Sequence, residues 1–477
     1  MNQVLEDTPT LEKPAATTPD RGPASGRPPR IGIWGHYHGG NLGDDLLVAT
    51  LISNVRARIP NAEIVGFCLN PTDTRQRHRI PAFAIWRYAE RINKPTQAWT
   101  QEDQAERSTA IGLWGRTKLL IKRRPWLMRP LCCARSVWRA VVSPLNRLTS
   151  PLREALFLTR SYRRLRGTDL LIVAGSGPLF DGWCGAWGHP YALYKWSTLA
   201  RLCGARLVCL STGAGPIDSR LSRTFLRRAV RTTSYRSYRD PSSARLIASL
   251  GVEGEHPVFP DMGFGLDVSR YLGHWEVPSV ARNRTVVGLC VMAHRDPRHM
   301  PRNDPPRFGA YIRKMAEFCA WLLRNDSAVL AFSSDCADSR AFADVRAILH
   351  REHGLGDDPR LIEPPVNGLS DLASVFSCCD YVIAARYHCI IIPWLLNKPV
   401  VGLAYNRKTI DLMASMGQSE YCIDIDRFEV AELVSRFQAM VCNGDAIRAQ
   451  LSERVAGCRA RLAEQYDCVL GPPVVTR

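Results

Sequence analysis

The feature that most restricts the fold of this chain is a repeated local pattern. A short apolar run ends in a glycine-rich turn, and the turn opens into a helix. Ile31 to Gly35 runs into GHYHGGNLGDD (Gly35 to Asp45), followed by a helical pattern from Leu42 to Arg58. This is strand, loop, helix, the opening of a mononucleotide-type α/β unit. Ile64 to Leu69 is the next expected strand. The alternation then stops for about 95 residues and resumes at DLLIVA (Asp169 to Ala174), again ahead of a glycine turn. A helix is predicted over Tyr191–Cys203 and a strand over Arg206–Ser211. A helix capped by Ser219 should run to about Thr232, and a short one from Ser242 to Leu250 should stop at Gly251.

The pattern becomes irregular between Gly265 and Arg284 and then restarts. Strands are expected at Thr285–Met292, Ala328–Ser333, Tyr381–Ala384 and Val400–Ala404, with amphipathic helices from about Phe428 to Gln465. Two successive halves of this kind predict two Rossmann-like, doubly wound α/β domains facing a cleft. Their spans are 30–270 and 280–427, after a disordered leader (1–29) and before C-terminal helices and a tail (428–477). Ligands of such sheets sit outside the carboxyl ends of the strands.

Six segments at those ends could carry chemistry. The first glycine loop contributes Gly39, Gly40, Asn41 and Asp44, where glycines admit an anion close to free helix N–H groups; Asn41 and Asp44 serve equally well as helix caps. GSGPLFD (Gly175–Asp181) contributes Gly175, Ser176 and Gly177. STGAGP (Ser211–Pro216) contributes Gly213 and Gly215. Tight-turn geometry alone would also require such glycines. YRDPSS (Tyr238–Ser243) offers Arg239 and Asp240 ahead of a serine cap, with an ordinary surface ion pair as the competing reading. AARYHC (Ala384–Cys389) puts Arg386, Tyr387 and His388 between an apolar strand and an apolar helix, where polar groups need pairing or a ligand. AYNRKT (Ala404–Thr409) adds Lys408 as a further anion contact or a solvated lysine.

Composition narrows the setting. With 477 residues and 45% apolar content there is material for two cores. No run approaches a membrane span, and no signal-peptide apolar region opens the chain. Sixteen cysteines without a CxxC, many inside apolar runs, fit a reduced cytoplasmic protein rather than a disulfide scaffold or a zinc site. The formal charge is +18, yet residues 71–166 hold 21 Lys/Arg against 6 Asp/Glu, so one segment carries nearly all of the excess.

The ordered series GGNLGDD, GSGPLF, STGAGP, RDPSS, PDMGF, RYHC and YNRK resembles the polysaccharide pyruvyltransferase family, from Ile31 to about Asp426 apart from the basic insert. The resemblance implies two Rossmann-like domains in a GT-B-like arrangement. It implies phosphoenolpyruvate as co-substrate, a saccharide acceptor, a ketal product, and no metal or other cofactor. By motif, Arg239, Arg386 and His388 match the donor-site residues. Ser176 and Pro178 depart from the family's usual small residues, and the 95-residue insert is long for it. The cations would hold carboxylate and phosphate, and His388 would act as acid/base, since imidazole titrates near neutrality.

Two other classes compete: a GT-B glycosyltransferase using a nucleotide sugar, and a basic membrane- or nucleic-acid-binding protein with a decayed catalytic core. The basic insert, with Trp114, Trp126 and Trp138, suggests docking on an anionic membrane surface beside a lipid-linked acceptor, making the protein peripheral on the inner face. An amphipathic helical pair packed on the core would give the same pattern. Nucleic acid is not the expected partner.

Overall fold

The computed structural model describes residues 27–35, 37, 40–89, 150–182, 184–273, 275–298, 303–335 and 337–471. Gly39, Trp114, Trp126 and Trp138 lie outside them. Two six-stranded parallel sheets form the molecule. The first contains β1 (Arg30–Trp34), β2 (Glu63–Cys68), β3 (Ala82–Ala84), β4 (Leu170–Val173), β5 (Arg206–Thr212) and β6 (Tyr235–Tyr238), in the order β3-β2-β1-β4-β5-β6. The second contains β7 (Val286–Cys290), β8 (Ala328–Ala331), β9 (Leu361–Ile362), β10 (Tyr381–Ala384), β11 (Val400–Ala404) and β12 (Cys422–Asp424), in the order β12-β11-β10-β7-β8-β9. Both have the same doubly wound order, which reverses at β1/β4 and at β7/β10. A crevice opens beyond the strand ends at each reversal.

In the first half the helices are α1 (Leu42–Arg58), α2 (Pro71–His78), α3 (150–165), α4 (His189–Cys203), α5 (Arg220–Val230) and α6 (Pro241–Ala248). In the second they are α7 (Pro305–Arg324), α8 (Asp338–Ile348), α9 (Leu369–Ser377), α10 (His388–Leu395) and α11 (Arg407–Ser415). Helices α12 (Val430–Cys442) and α13 (Gly444–Leu470) follow. No described helix is long and apolar enough to cross a membrane.

Several expectations needed correction. The alternation does not stop at Leu69: α2 and the edge strand β3 add one more unit before the undescribed stretch, so part of the basic segment belongs to the sheet. Asn70 caps α2, its side chain accepting from the Asp73 N–H, and Pro71 opens the helix. Strands β6, β9 and β12 had no apolar run long enough to mark them. Helix α6 is capped by Asp240 rather than by a serine, and Ser219 makes no side-chain cap bond at α5.

Helix α1 explains why the halves form one unit. Its sequence, LGDDLLVATLISNVRAR, is apolar around most of its circumference, and twelve of its residues are buried. It packs on the turn Met262–Gly265 in the linker, on α9 of the second half and on α13. Helix α13, 27 residues and thus about 40 Å long, crosses back onto the first half. Asp467 pairs with Arg58 at 2.6 Å, Arg206 donates to the Val469 carbonyl at 2.8 Å, and Arg461 donates to the Val258 carbonyl at 3.0 Å.

Gln465, fully buried, reaches Ser237 Oγ at 3.0 Å and Ser211 Oγ at 3.2 Å. Ser211 sits at φ +44°, where β5 loses register with β6. A non-glycine residue holds that backbone only when its surroundings impose it. The Gln465→Leu variant strands the buried Ser211 hydroxyl, while Ser237 Oγ keeps the Ser211 N–H, and should lose about 1–3 kcal/mol of unfolding free energy, measurable as a lowered urea midpoint.

Candidate active site

The loops at the two sheet reversals meet across the cleft. The Leu42 N–H donates to the Ser334 carbonyl at 3.0 Å, and Asn41 bridges to Asp335. The amino end of α1 therefore lies against the loop after β8. Asn41 caps α1, accepting from the Gly43 N–H at 3.0 Å and donating to Asp44 at 3.2 Å. A Cβ added to Gly43 would lie 2.1 Å from His388 Nδ1, so this glycine exists to admit the imidazole.

The other glycines divide by role. Gly175 packs against Met262 Sδ and the carbonyls of Leu210 and Ser211, and Gly215 packs against Phe180. Both are steric requirements of the loops. Gly213 lies under the Arg239 guanidinium, where a Cβ would come within 2.8 Å of Nε. Gly177 faces the two cations without crowding: a Cβ there would sit 3.8 Å from Lys408 Nζ and 3.9 Å from Arg239 Nη2. Gly40 is buried at the entry to α1. Arg239, from the end of β6, and Lys408, from the start of α11, thus converge on the second glycine loop from opposite halves.

Arg239 is 9% exposed. Its Nη1 donates to Asp261 at 3.1 Å, and its guanidinium lies 4.5 Å from the Tyr387 ring centroid. Lys408 has no carboxylate within ion-pair distance among the described residues. Burial and the neighbouring Arg239 push its ammonium down to about 7, with Asp240 opposing. Asp240 is otherwise occupied, accepting from the Ser243 N–H at 2.6 Å and from the hydroxyls of Ser242 and Ser243. Among the described residues, Arg239 Nε, Ser176 Oγ and His388 Nε2 are buried without a hydrogen-bond partner. Unsatisfied donors beside a buried, uncompensated cation are what an anion would complete.

Arg386 is held differently from the other cations. Its Nε and Nη2 donate to Asp338 at 2.8 and 2.7 Å, with Asp335 at 3.5 Å. Asp338 also accepts from the Ala293 N–H at 2.9 Å. This clamp ties the end of β10 to β7 and α8, and among the described residues it leaves Nη1 without a hydrogen bond. Tyr387 is buried, which raises its phenol well above the ordinary range.

Sequence reasoning missed three carboxylates of this constellation. Asp335 lies in the loop after β8 and Asp338 opens α8, and both meet Arg386 only because β10 arrives beside them. Asp261, of PDMGF, is fully buried between Arg239 and His388, whose Nε2 is 3.7 Å from Oδ1. Its signal was an acidic residue inside an otherwise apolar stretch, VFPDMGFGL.

Two doubly wound domains facing a cleft place the protein in the GT-B-like structural class. Its fold is similar to MnaA of S. aureus, solved with UDP (TM-score 0.51, 10% identity, covering 94% of this chain and 100% of that one). It is equally similar to a putative UDP-N-acetylglucosamine 2-epimerase from Listeria monocytogenes (0.51, 10%, 94% and 100%). The UDP-GlcNAc 2-epimerase of Neisseria meningitidis, bound to UDP-GlcNAc, is also similar (0.50, 10%, 92% and 99%). Within this architecture, residues 41–407 match the polysaccharide pyruvyl transferase family, and the chain belongs to it.

Two outcomes follow from the site. In a crystal structure of Gly43→Ala the His388 ring should be displaced by about 1 Å or more while both sheets keep their register, whereas Gly177→Ala should leave the cations in place. Anion affinity should depend on Lys408. Sulfate, which does not titrate near neutrality, should bind about tenfold more tightly at pH 6.5 than at pH 8.5, because the ammonium is charged only at the lower pH. Lys408→Met should abolish that dependence. The unliganded fold responds with the opposite sign: between about 7 and the ordinary 10.5 the unfolded chain holds the proton more firmly. This lysine therefore makes the free protein more stable as pH rises through that window.

Proposed function

We propose that the protein transfers the pyruvyl unit of phosphoenolpyruvate to two hydroxyls of a saccharide, giving a pyruvate ketal and inorganic phosphate. Family membership supports the reaction class. The observation that carries the donor assignment is the pairing of Arg239 with the uncompensated Lys408 over Gly177, beside His388. Phosphoenolpyruvate brings a phosphate and a carboxylate, and two converging cations on a glycine floor suit such an anion.

The chemistry is an addition followed by an elimination. One acceptor hydroxyl forms a bond to C2 while the C2–C3 π electrons take a proton onto C3 from the His388 imidazolium. The resulting tetrahedral carbon bears methyl, carboxylate, phosphate and the sugar oxygen. The C2–O bond to phosphate then breaks, phosphate leaving with the bonding electrons. The second hydroxyl adds to C2, closing the ketal. Of the two hydroxyl protons, one replaces that given to C3 and the other leaves with phosphate. Arg239 and Lys408 stabilise the departing phosphate, and Arg386 fixes the turn that carries His388.

The excess of basic residues over 71–166 supports work on a lipid-linked acceptor at an anionic, cytoplasmic membrane face. Exposed Leu152 and Leu156 on α3 and exposed Tyr88 ahead of it lie in the same segment.

Phosphate release from phosphoenolpyruvate with candidate glycans tests the reaction. His388→Gln should lower kcat by about 10²- to 10⁴-fold, and Arg386→Lys should fail too, lysine lacking the planar fork. Near-normal turnover in both would refute the site. Rates should be higher with acceptor in anionic vesicles than in detergent, and should fall with salt.

A further inference from the structure

We infer that Asp261 is a positioning residue for this site. From the linker between the domains, its buried carboxylate aligns Arg239 of β6 and serves as counter-ion to the His388 imidazolium of α10. The roles of its two partners rest on the pyruvyl-transfer reading; the coupling itself does not.

The geometry carries the inference. The Asp261 side chain is wholly shielded from solvent. Its Oδ2 accepts from Arg239 Nη1 at 3.1 Å, and its Oδ1 accepts from the Gly263 N–H at 2.8 Å and lies 3.7 Å from His388 Nε2. That Nε2 is buried and has no other partner. A small ring rotation would complete the bond, as expected of a site that tightens around its substrate. A carboxylate without solvent must be compensated by fixed donors and cations, and here those are the groups the chemistry requires.

The mounting is rigid. Asp261 caps the turn Met262–Gly265, and that turn is packed between α1, α10 and α13. A Cβ on Gly263 would lie 2.9 Å from Leu46 Cδ2, and Met262 Sδ lies 3.3 Å from the Gly175 N–H. One turn therefore registers the second glycine loop, Arg239 and His388 together. The carboxylate is held below its ordinary range despite burial, which raises it; His388, Arg239 and the Gly263 N–H more than offset that burial. The carboxylate oxygen thus faces the ring nitrogen across 3.7 Å, on the side from which a counter-ion would act. Tyr387 lies beside the ring in its own turn (ring centroids 5.4 Å apart), Arg239 lies beyond Asp261, and α1 meets the ring at Gly43, its first turn also carrying Asp44 and Asp45, the latter paired with Arg77 and His78.

The test compares the full-length parent protein with D261N, which keeps shape and removes charge. The His388 ring signal, assigned by its loss in H388Q, is followed by NMR against pH, and kcat and KM for phosphoenolpyruvate are measured over the same range. In D261N the ring should lose its proton at lower pH than in the parent. The alkaline limb of the rate profile should move the same way, with kcat down about a hundredfold. An unchanged ring titration in folded D261N would overturn the inference, as would an unchanged kcat in a protein that releases phosphate. Should D261N not fold, D261E decides: it retains the charge but displaces the carboxylate, so an unshifted ring titration with reduced kcat supports the inference, and parental kcat overturns it. If the parent releases no phosphate with any acceptor while the ring titration still shifts in D261N, the reaction assignment fails and the counter-ion role stands.

Discussion

Burial of α1 on nearly every side is the constraint on which the cleft depends. A surface helix would tolerate drift between the two sheets. A helix covered by the linker turn, by α9 and by α13 does not, because each apolar side chain must fit a partner from a different part of the chain. Its amino end is thereby pinned against the loop after β8, and the missing Cβ of Gly43 becomes a socket of fixed position for His388. The imidazole is located by the packing of a helix from the other domain more than by its own.

The site holds its positive charges in three ways. Arg386 is neutralised by a bidentate carboxylate and acts as a strut. Arg239 is partly compensated by Asp261 and rests between a glycine and an aromatic ring. Lys408 has no carboxylate within ion-pair distance among the described residues, and burial with Arg239 beside it depresses it against the pull of Asp240. Charge in a low-dielectric setting is tolerated in proportion to its compensation. The gradient from Arg386 to Lys408 therefore runs from compensated to uncompensated charge, and its uncompensated end lies over Gly177.

Much of this was legible in the residues. Helix α1 and strands β10 and β11 lie where the apolar pattern placed them, since a buried element leaves a continuous apolar imprint. Strands β3, β9 and β12 left none, being two or three residues long at sheet edges, and YRSY of β6 is polar and aromatic. Strand-end placement drew attention to Arg239, His388 and Lys408, which the fold brings to one cleft. It could not separate Gly213 and Gly177, which meet the cations, from Gly175 and Gly215, which serve packing, because all four stand in the same kind of turn. Asp261, Asp335 and Asp338 acquire their partners from strands far away in sequence, and no local pattern records that.

The bond from Gln465 to Ser211 and Ser237 gives the order of synthesis a structural meaning. The first sheet could pair its strands as soon as β6 leaves the ribosome, yet the bend at Ser211 that shapes the third glycine loop has only the Ser237 hydroxyl on its N–H, and no partner from Gln465, until the last turns of α13 have been made. A nascent chain would thus carry a finished sheet and an unfinished cleft. Arg239, His388 and Lys408 come together only once the second domain and α13 have followed the first sheet.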